Sequence, residues 1–237
     1  MSPTSYRLTR GSAVLALVLL LPVPSLGTAA SMFWWPGTAW GKGLFLAGKL
    51  WMVLLPAVWL GWVEKGPWSW SPPRRGGFGP AVLLGLAIAA MVLVVYESAR
   101  YSGWLDPAMV GDRARQTGLD HFGLYLAGAI YWTTLNSLME EYVWRWFCFR
   151  QFEVLLGGRA AVFATALGFT LHHILALAGQ FSGPMTLLGS VGVFTGGAIW
   201  SWLYLRYRSV WPCYVSHAIV DVPIFVIGYQ VIFGVRL

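Results

Sequence analysis

A chain of 237 residues of which 57% are hydrophobic and only 11% charged, against roughly 25% charged in a water-soluble domain, excludes an ordinary globular fold in water. The formal net charge of +7 comes from basic residues scattered between apolar runs, with no stripe or tail, which argues against nucleic acid as a partner. Cys148 and Cys213 lie in or beside apolar segments without CxxC or metal-ligand spacing and read as packing residues.

A helix needs about 20 apolar residues to cross a hydrocarbon core about 30 Å thick. Runs of this kind, bounded by charge, glycine and proline, fall at 11–30, 43–63, 79–97, 123–148, 160–178, 185–205 and 211–233. The sequence therefore predicts an all-α polytopic transmembrane bundle: one domain over 1–237, about seven spans, and a polar-motif core at about 123–233. Residues 11–30 also fit a cleavable signal peptide, because Arg7 and Arg10 precede the run Ala13 to Leu21 and small residues follow from Thr28 to Ser31. The expectation is a retained first helix.

With the N-terminus inside, nine of the sixteen basic residues fall on the inner side: Arg7, Arg10, Lys65, Arg74, Arg75, Arg150, Arg159, Arg206 and Arg208. The positive-inside rule then gives an N-in, C-out integral membrane protein, with the bacterial cytoplasmic membrane as the expected location. Tryptophans at 34, 35, 40, 59, 62, 68, 70, 200, 202 and 211 flank the same spans, where indole rings favour the headgroup layer. The stretch Ser98 to Asp120 is the longest polar segment and reads as an extramembrane helix or a lid.

Ionisable groups inside spans are few because each costs about 2.5–3.5 kcal/mol or more at the bilayer centre. Glu140, Glu141, His172, His173, His217 and Asp221 all fall within apolar runs. Glu141 and Arg145 are four residues apart, as are Phe169 and His173, and His217 and Asp221, so each pair shares a helix face. At 1.5 Å per residue, Glu140 and His217 come out about 12 and 9 Å from the inner ends of their helices and His173 about 20 Å, so the three can meet inside the membrane. Adjacent carboxylates facing histidines supply a general base, a proton donor and an oxyanion partner, the requirements of peptide hydrolysis. Burial of one carboxylate beside another suits it to act as a general base near neutral pH, and Arg145 would hold one of the two glutamates ionised and fixed in place.

The series Glu140-Glu141-Tyr-Val-Trp-Arg145, Phe169-Thr-Leu-His172-His173 and His217-Ala-Ile-Val-Asp221 resembles, in motif and order, the CAAX-protease and bacteriocin-processing (CPBP, or Abi) intramembrane proteases, which include the Rce1-type prenyl-protein endopeptidases. The resemblance implies a glutamate-dependent endopeptidase acting on a membrane-anchored or lipidated protein or peptide, with membrane lipid as its other partner. It implies that Glu140 with His173 activates water, that His217 and residue 221 stabilise the oxyanion, and that Glu141 and Arg145 support them. Many relatives carry Asn where this chain has Asp221, and an ionised Asp cannot donate to an oxyanion. Asp221 must then be protonated, orient His217, or act otherwise.

Other readings compete. Glu141 and Arg145 alone could be a self-neutralising pair, and lone histidines often hold bundles together; His172, about 100° from His173 on an ideal helix, reads as a packing residue or one that supports the site from behind, and His121 as an interfacial one. No cofactor is expected, with zinc held by Glu140, His173 and His217 as the chemical rival, although no HExxH occurs. Neither GxSG nor GxGD is present. A proton relay or transporter and a non-proteolytic scaffold or immunity protein are the alternatives from other classes.

Overall fold

A computed structural model of the chain describes residues 8–235, and among these it contains eight helices and no strand. Arg7, one of the residues used above for charge asymmetry, lies outside the described residues. α1 (Arg10–Trp34) starts at Thr9, whose hydroxyl accepts from Ser12 N–H while the Ser12 hydroxyl accepts from Thr9 N–H, a reciprocal cap that satisfies two otherwise orphaned donors. α2 (Ala39–Glu64) is capped by Thr38 and stops at Lys65, whose φ is 53°. α3 (Phe78–Tyr101) follows a Pro- and Gly-rich loop.

The polar segment after α3 is partly helical: α4 (Pro107–Thr117) is capped by Asp106, ends at Gly118 with φ of 76°, and packs against the last helix. α5 runs without a break over 122–156. Gly157, at φ 81°, separates it from α6 (Gly158–Ala178), a backbone position that a residue with Cβ adopts only under strain. α7 (Gly183–Tyr207) and α8 (Val210–Phe233) complete the chain, with Ser209 capping α8 through Trp211 N–H.

Six helices, α1, α2, α3, α6, α7 and α8, are long and apolar enough to cross a membrane. The fourth predicted span, 123–148, forms the central part of α5, which is not among the six. Its polar side chains make it less apolar than the six, and protein covers it on every side only over the consecutive residues Val143 to Phe149, all buried, while Leu124, Ile130 and Leu135 nearer its start are exposed. Asn136, Glu140, Glu141 and Arg145 are themselves buried and so are not presented to lipid. By contrast, the outer helices turn apolar side chains outward, with Leu83 70% and Leu187 69% exposed, which fits lipid as the outer solvent. The chain is an integral membrane protein built as a helical bundle.

Two close approaches fix the helices that matter. A Cβ on Gly85 of α3 would stand 3.0 Å from Ser216 O on α8, and one on Gly197 of α7 would stand 3.2 Å from the Phe169 ring on α6. Small residues at such crossings let backbones approach closely inside a membrane. Most of the flanking tryptophans are exposed near helix ends, as Trp40 and Trp62 are, but Trp59 and Trp200 are buried in the core. Those two are packing residues and not interfacial anchors. Both cysteines are buried and free.

Candidate active site

Two wide turns in α5 frame the site. Hydrogen bonding relaxes to the i→i+5 pattern over Trp132–Asn136 and again over Tyr142–Cys148, leaving Ser137–Glu141 as a short ordinary segment between them. Wide turns of this kind interrupt regular helices mostly at functional sites. Here they present Ser137 and Glu141 toward α8 and Glu140 toward α2 and α6.

Glu141 and Arg145 are both fully buried. Arg145 Nη1 lies 3.1 Å from Glu141 Oε1, a charge contact rather than an aligned hydrogen bond, and Nη2 donates to Gly197 O at 3.4 Å. The guanidinium also lies against the rings of Phe169 and Trp200, at 4.7 and 5.1 Å, and these faces attract a desolvated cation. Gly197 has no side chain, and that absence brings α7 close enough to offer its carbonyl.

Glu141 Oε1 also accepts from His217 Nδ1 at 2.8 Å. With Arg145 holding the carboxylate ionised, the oxygen can only accept, so the shared proton sits on Nδ1. The ring stacks on Trp200 at 3.9 Å, and its Nε2 lies 3.9 Å from Glu140 Oε2 and 3.8 Å from Asp221 Oδ1. The other oxygen of Asp221, Oδ2, accepts from Ser137 Oγ at 2.6 Å.

On α6, His173 Nδ1 donates to Phe169 O at 2.8 Å, since a carbonyl can only accept, and this leaves Nε2 with its lone pair free. The phenylalanine of the Phe169–His173 motif thus contributes its backbone carbonyl as well as its ring, which contacts His173 at 4.4 Å. His172 stacks flat on Trp144 at 5.6 Å, and its ring centre is 4.1 Å from that of His173. Its Nδ1 is buried without a partner. Donor atoms of Glu140, His172 and His173 all lie within 4.8 Å of one another.

These three residues, together with Lys49, line a cavity of about 190 Å³ whose remaining wall comes largely from Pro24, Thr28 and Met32 of α1 and Phe45 and Met52 of α2. A larger cavity of about 350 Å³ lies elsewhere, between α2, α5 and the start of α8, against Val53, Met139, Tyr142, Trp146 and Trp211. It is almost wholly apolar, so the smaller cavity is the one that holds the chemistry.

The placement alters two sequence expectations. His172, read as a packing residue, reaches the cavity beside His173, because long aromatic side chains on consecutive residues can pivot toward one opening. The carboxylate and two histidines that cluster are therefore Glu140, His172 and His173, where the rival zinc set had His217 in place of His172. Sequence reasoning also passed over Lys49, whose Nζ donates to Asn136 Oδ1 at 2.7 Å and lies 3.6 Å from Glu140 Oε1. The cost of an intramembrane lysine was the available signal. His121 is exposed at the start of α5, away from the cluster.

Residues 122–223 match the family model described as type II CAAX prenyl endopeptidase Rce1-like. No curated protein and no solved structure matches the chain. The matched segment contains every residue of the three motifs, from Glu140 to Asp221. Over this segment the chain is similar to the Rce1-like CAAX proteases, and the resemblance to the CPBP intramembrane proteases holds there.

Proposed function

We propose that the protein is a glutamate-dependent intramembrane endopeptidase that cleaves a membrane-anchored, lipidated peptide or protein by activating water at Glu140. The observation that carries this reading is the convergence of Glu140, His172 and His173 within 4.8 Å at a cavity inside the bundle, with His217 Nε2 on the other side of Glu140. Glu140 takes a proton from water as the hydroxide adds to the scissile carbonyl carbon, with His173 Nε2 orienting that water. The oxyanion that forms meets Asp221 and His217, which in its doubly protonated form keeps Nδ1–H on Glu141 and offers Nε2–H. Collapse of the intermediate breaks the C–N bond, and the proton held by Glu140 passes to the leaving amine.

Asp221 fits this scheme as the neutral acid. The single Ser137 hydroxyl proton has two acceptors, the Trp132 carbonyl at 2.7 Å and Asp221 Oδ2 at 2.6 Å, and when it goes to Oδ2 the carboxyl proton is left on Oδ1, the atom on the His217 side. An asparagine would place its amide there. Glu141 and Arg145 orient His217 and do not themselves meet the substrate. The apolar cavity lined by Met139 and Tyr142, the residues on either side of the glutamate pair in the chain, supports a lipid-bearing substrate, because it offers almost no polar surface. Prenyl endopeptidase activity in the similar family supports the same substrate class, and the charge asymmetry of the loops supports cleavage near the inner face of a cytoplasmic membrane.

Zinc is the second reading, favoured by the gathering of one carboxylate and two histidines and by the unpartnered Nδ1 of His172. Against it stands Lys49, whose ammonium is 3.6 Å from the same carboxylate and repels a divalent cation. The metal-free scheme therefore accounts for more of the site. Cleavage of a farnesylated CAAX peptide by purified protein, compared with Glu140→Gln, is the test. The variant keeps the side chain's size and loses the base, so activity should fall about 10²–10⁴-fold; full cleavage by it would refute the mechanism.

A further inference from the structure

Lys49 is a charged group at the site that none of the three motifs supplies. It stands about 15 Å along α2 from Ala39 at 1.5 Å per residue, outside the segment matched to the family, and its side chain is only 18% exposed. An ammonium at such a place must be paired or face water. Its Nζ makes two polar contacts, both to α5: it donates to Asn136 Oδ1 at 2.7 Å and lies 3.6 Å from Glu140 Oε1; on α2 itself it lies 5.8 Å from the centre of the Phe45 ring. Asn136 precedes Glu140 by four residues, one turn along the same face, so one ammonium bridges both.

The surroundings of Glu140 make this contact selective. Lys49 faces it from α2, His172 and His173 from α6, and His217 and Asp221 from α8. On its own helix, Glu141 and Arg145 are turned to His217 and to the α7 backbone. Among the described residues, Lys49 is the only lysine or arginine within 4.0 Å of the Glu140 carboxylate.

We propose that Lys49 is a positioning residue of the active site, held by Asn136 so that its ammonium fixes both the orientation and the negative charge of the Glu140 carboxylate. One carboxylate oxygen is taken by Lys49 while the other faces His217 Nε2, and the base is set before substrate arrives. A base that is neutral or turned aside cannot take the water proton. The proposal rests on the reading of Glu140 as the base, and it extends the working site to α2.

The test compares Lys49→Met and Lys49→Arg with wild type on the farnesylated CAAX peptide, measuring kcat and KM across pH. Lys49→Met should lower kcat about 10- to 100-fold with KM little changed. Its acidic limb should move up by about one pH unit, because an uncompensated carboxylate takes up its proton earlier. Lys49→Arg should recover most of kcat and return the limb. A Lys49→Met enzyme with wild-type kcat and acidic limb overturns the proposal, as does equal loss in both variants with an unmoved limb.

Thermal unfolding of Lys49→Met, Glu140→Gln and the double variant gives a readout that needs no substrate. If wild type leaves the peptide intact, the proposed function falls and this cycle decides the pairing alone. Pairing predicts that Lys49→Met melts lower at neutral pH, less so in mild acid, and that adding Glu140→Gln recovers more than half of the loss. Strictly additive losses overturn it.

Discussion

Glu141 Oε1 is shared by two cationic or proton-bearing partners, His217 Nδ1 at 2.8 Å and Arg145 Nη1 at 3.1 Å. The oxygen ties α5 to α8, and Arg145 continues the chain to the Gly197 carbonyl of α7. One acidic side chain therefore neutralises a buried guanidinium and sets the tautomer of an imidazole on another helix. Its second oxygen, Oε2, has no hydrogen-bond partner, which concentrates the whole load on Oε1.

Glu141→Gln should damage the protein in two separable ways. Neutral glutamine leaves Arg145 without a counter-charge in a fully buried position, a change that costs about 3–5 kcal/mol and shows in thermal unfolding. It also removes the anion that holds the second proton on His217, so the Nε2–H meant for the oxyanion is lost and cleavage should drop about 10²–10⁴-fold even in detergent conditions where the fold survives. Activity near wild type in a folded Glu141→Gln protein would remove Glu141 from the orienting role.

Asp221 makes a prediction of unusual sign. In Asp221→Asn the side-chain oxygen still accepts from Ser137, and the amide donates where the carboxyl proton was placed. Activity at neutral pH should persist. At higher pH the variant should outlast wild type, because a role as neutral acid is lost when the aspartate ionises and an amide does not titrate. Asp221→Ala should lose about 10²–10³-fold, the usual effect of removing an oxyanion donor. A pH profile of kcat/KM for the three proteins checks this, and an inactive Asp221→Asn would show that the charge itself is required.

The apolar spans were legible because lipid demands long, uniform runs, and six of the seven reappear as helices able to cross a membrane. The 123–148 span was read from an apolar run like the others, yet its polar groups keep it out of the six, and its full extent of 122–156 was not legible, since the helix continues past the run through the buried Phe149 and Gln151. Pairs four residues apart on one helix could be read directly, as with Glu141 and Arg145. Relations across helices could not. Nothing in the local spacing says that Glu141 meets His217 while Glu140 meets Lys49, because wide turns on both sides of Ser137–Glu141 reset the faces of α5. His172 was misplaced by the same limit: helix phase gives the direction of Cβ, and a stacked ring on Trp144 ends elsewhere.

The metal question yields a direct measurement. With Lys49 beside Glu140, exhaustive treatment with a strong chelator should leave cleavage of the farnesylated peptide unchanged, and elemental analysis of active protein should find zinc far below one ion per chain. His172→Ala should then act mainly through packing, since its ring is stacked on Trp144 and buried; the expected loss is about 3–5 kcal/mol or less of stability. Activity that disappears on chelation and returns with stoichiometric zinc would replace the water-activating scheme with a metal one.

The last prediction concerns a residue that touches none of the reacting groups. Gly85 sits where α3 crosses α8, and a Cβ there would meet Ser216 O at 3.0 Å, Ser216 Cα at 3.2 Å and Ile219 Cβ at 3.2 Å. Ser216 immediately precedes His217 and receives the Trp200 indole hydrogen bond at 3.2 Å, so the backbone that would have to yield is the one that carries the imidazole. Gly85→Leu must push α8 outward, at a cost of about 1–3 kcal/mol for overpacking. His217 then moves away from Glu141 and Glu140. A displacement of about 1 Å can cost about 10²-fold in rate, so activity should fall much further than stability. Gly43→Leu on α2, where a Cβ meets nothing within 4 Å, should change neither. If Gly85→Leu melts lower yet cleaves as wild type does, the position of α8 does not set the chemistry.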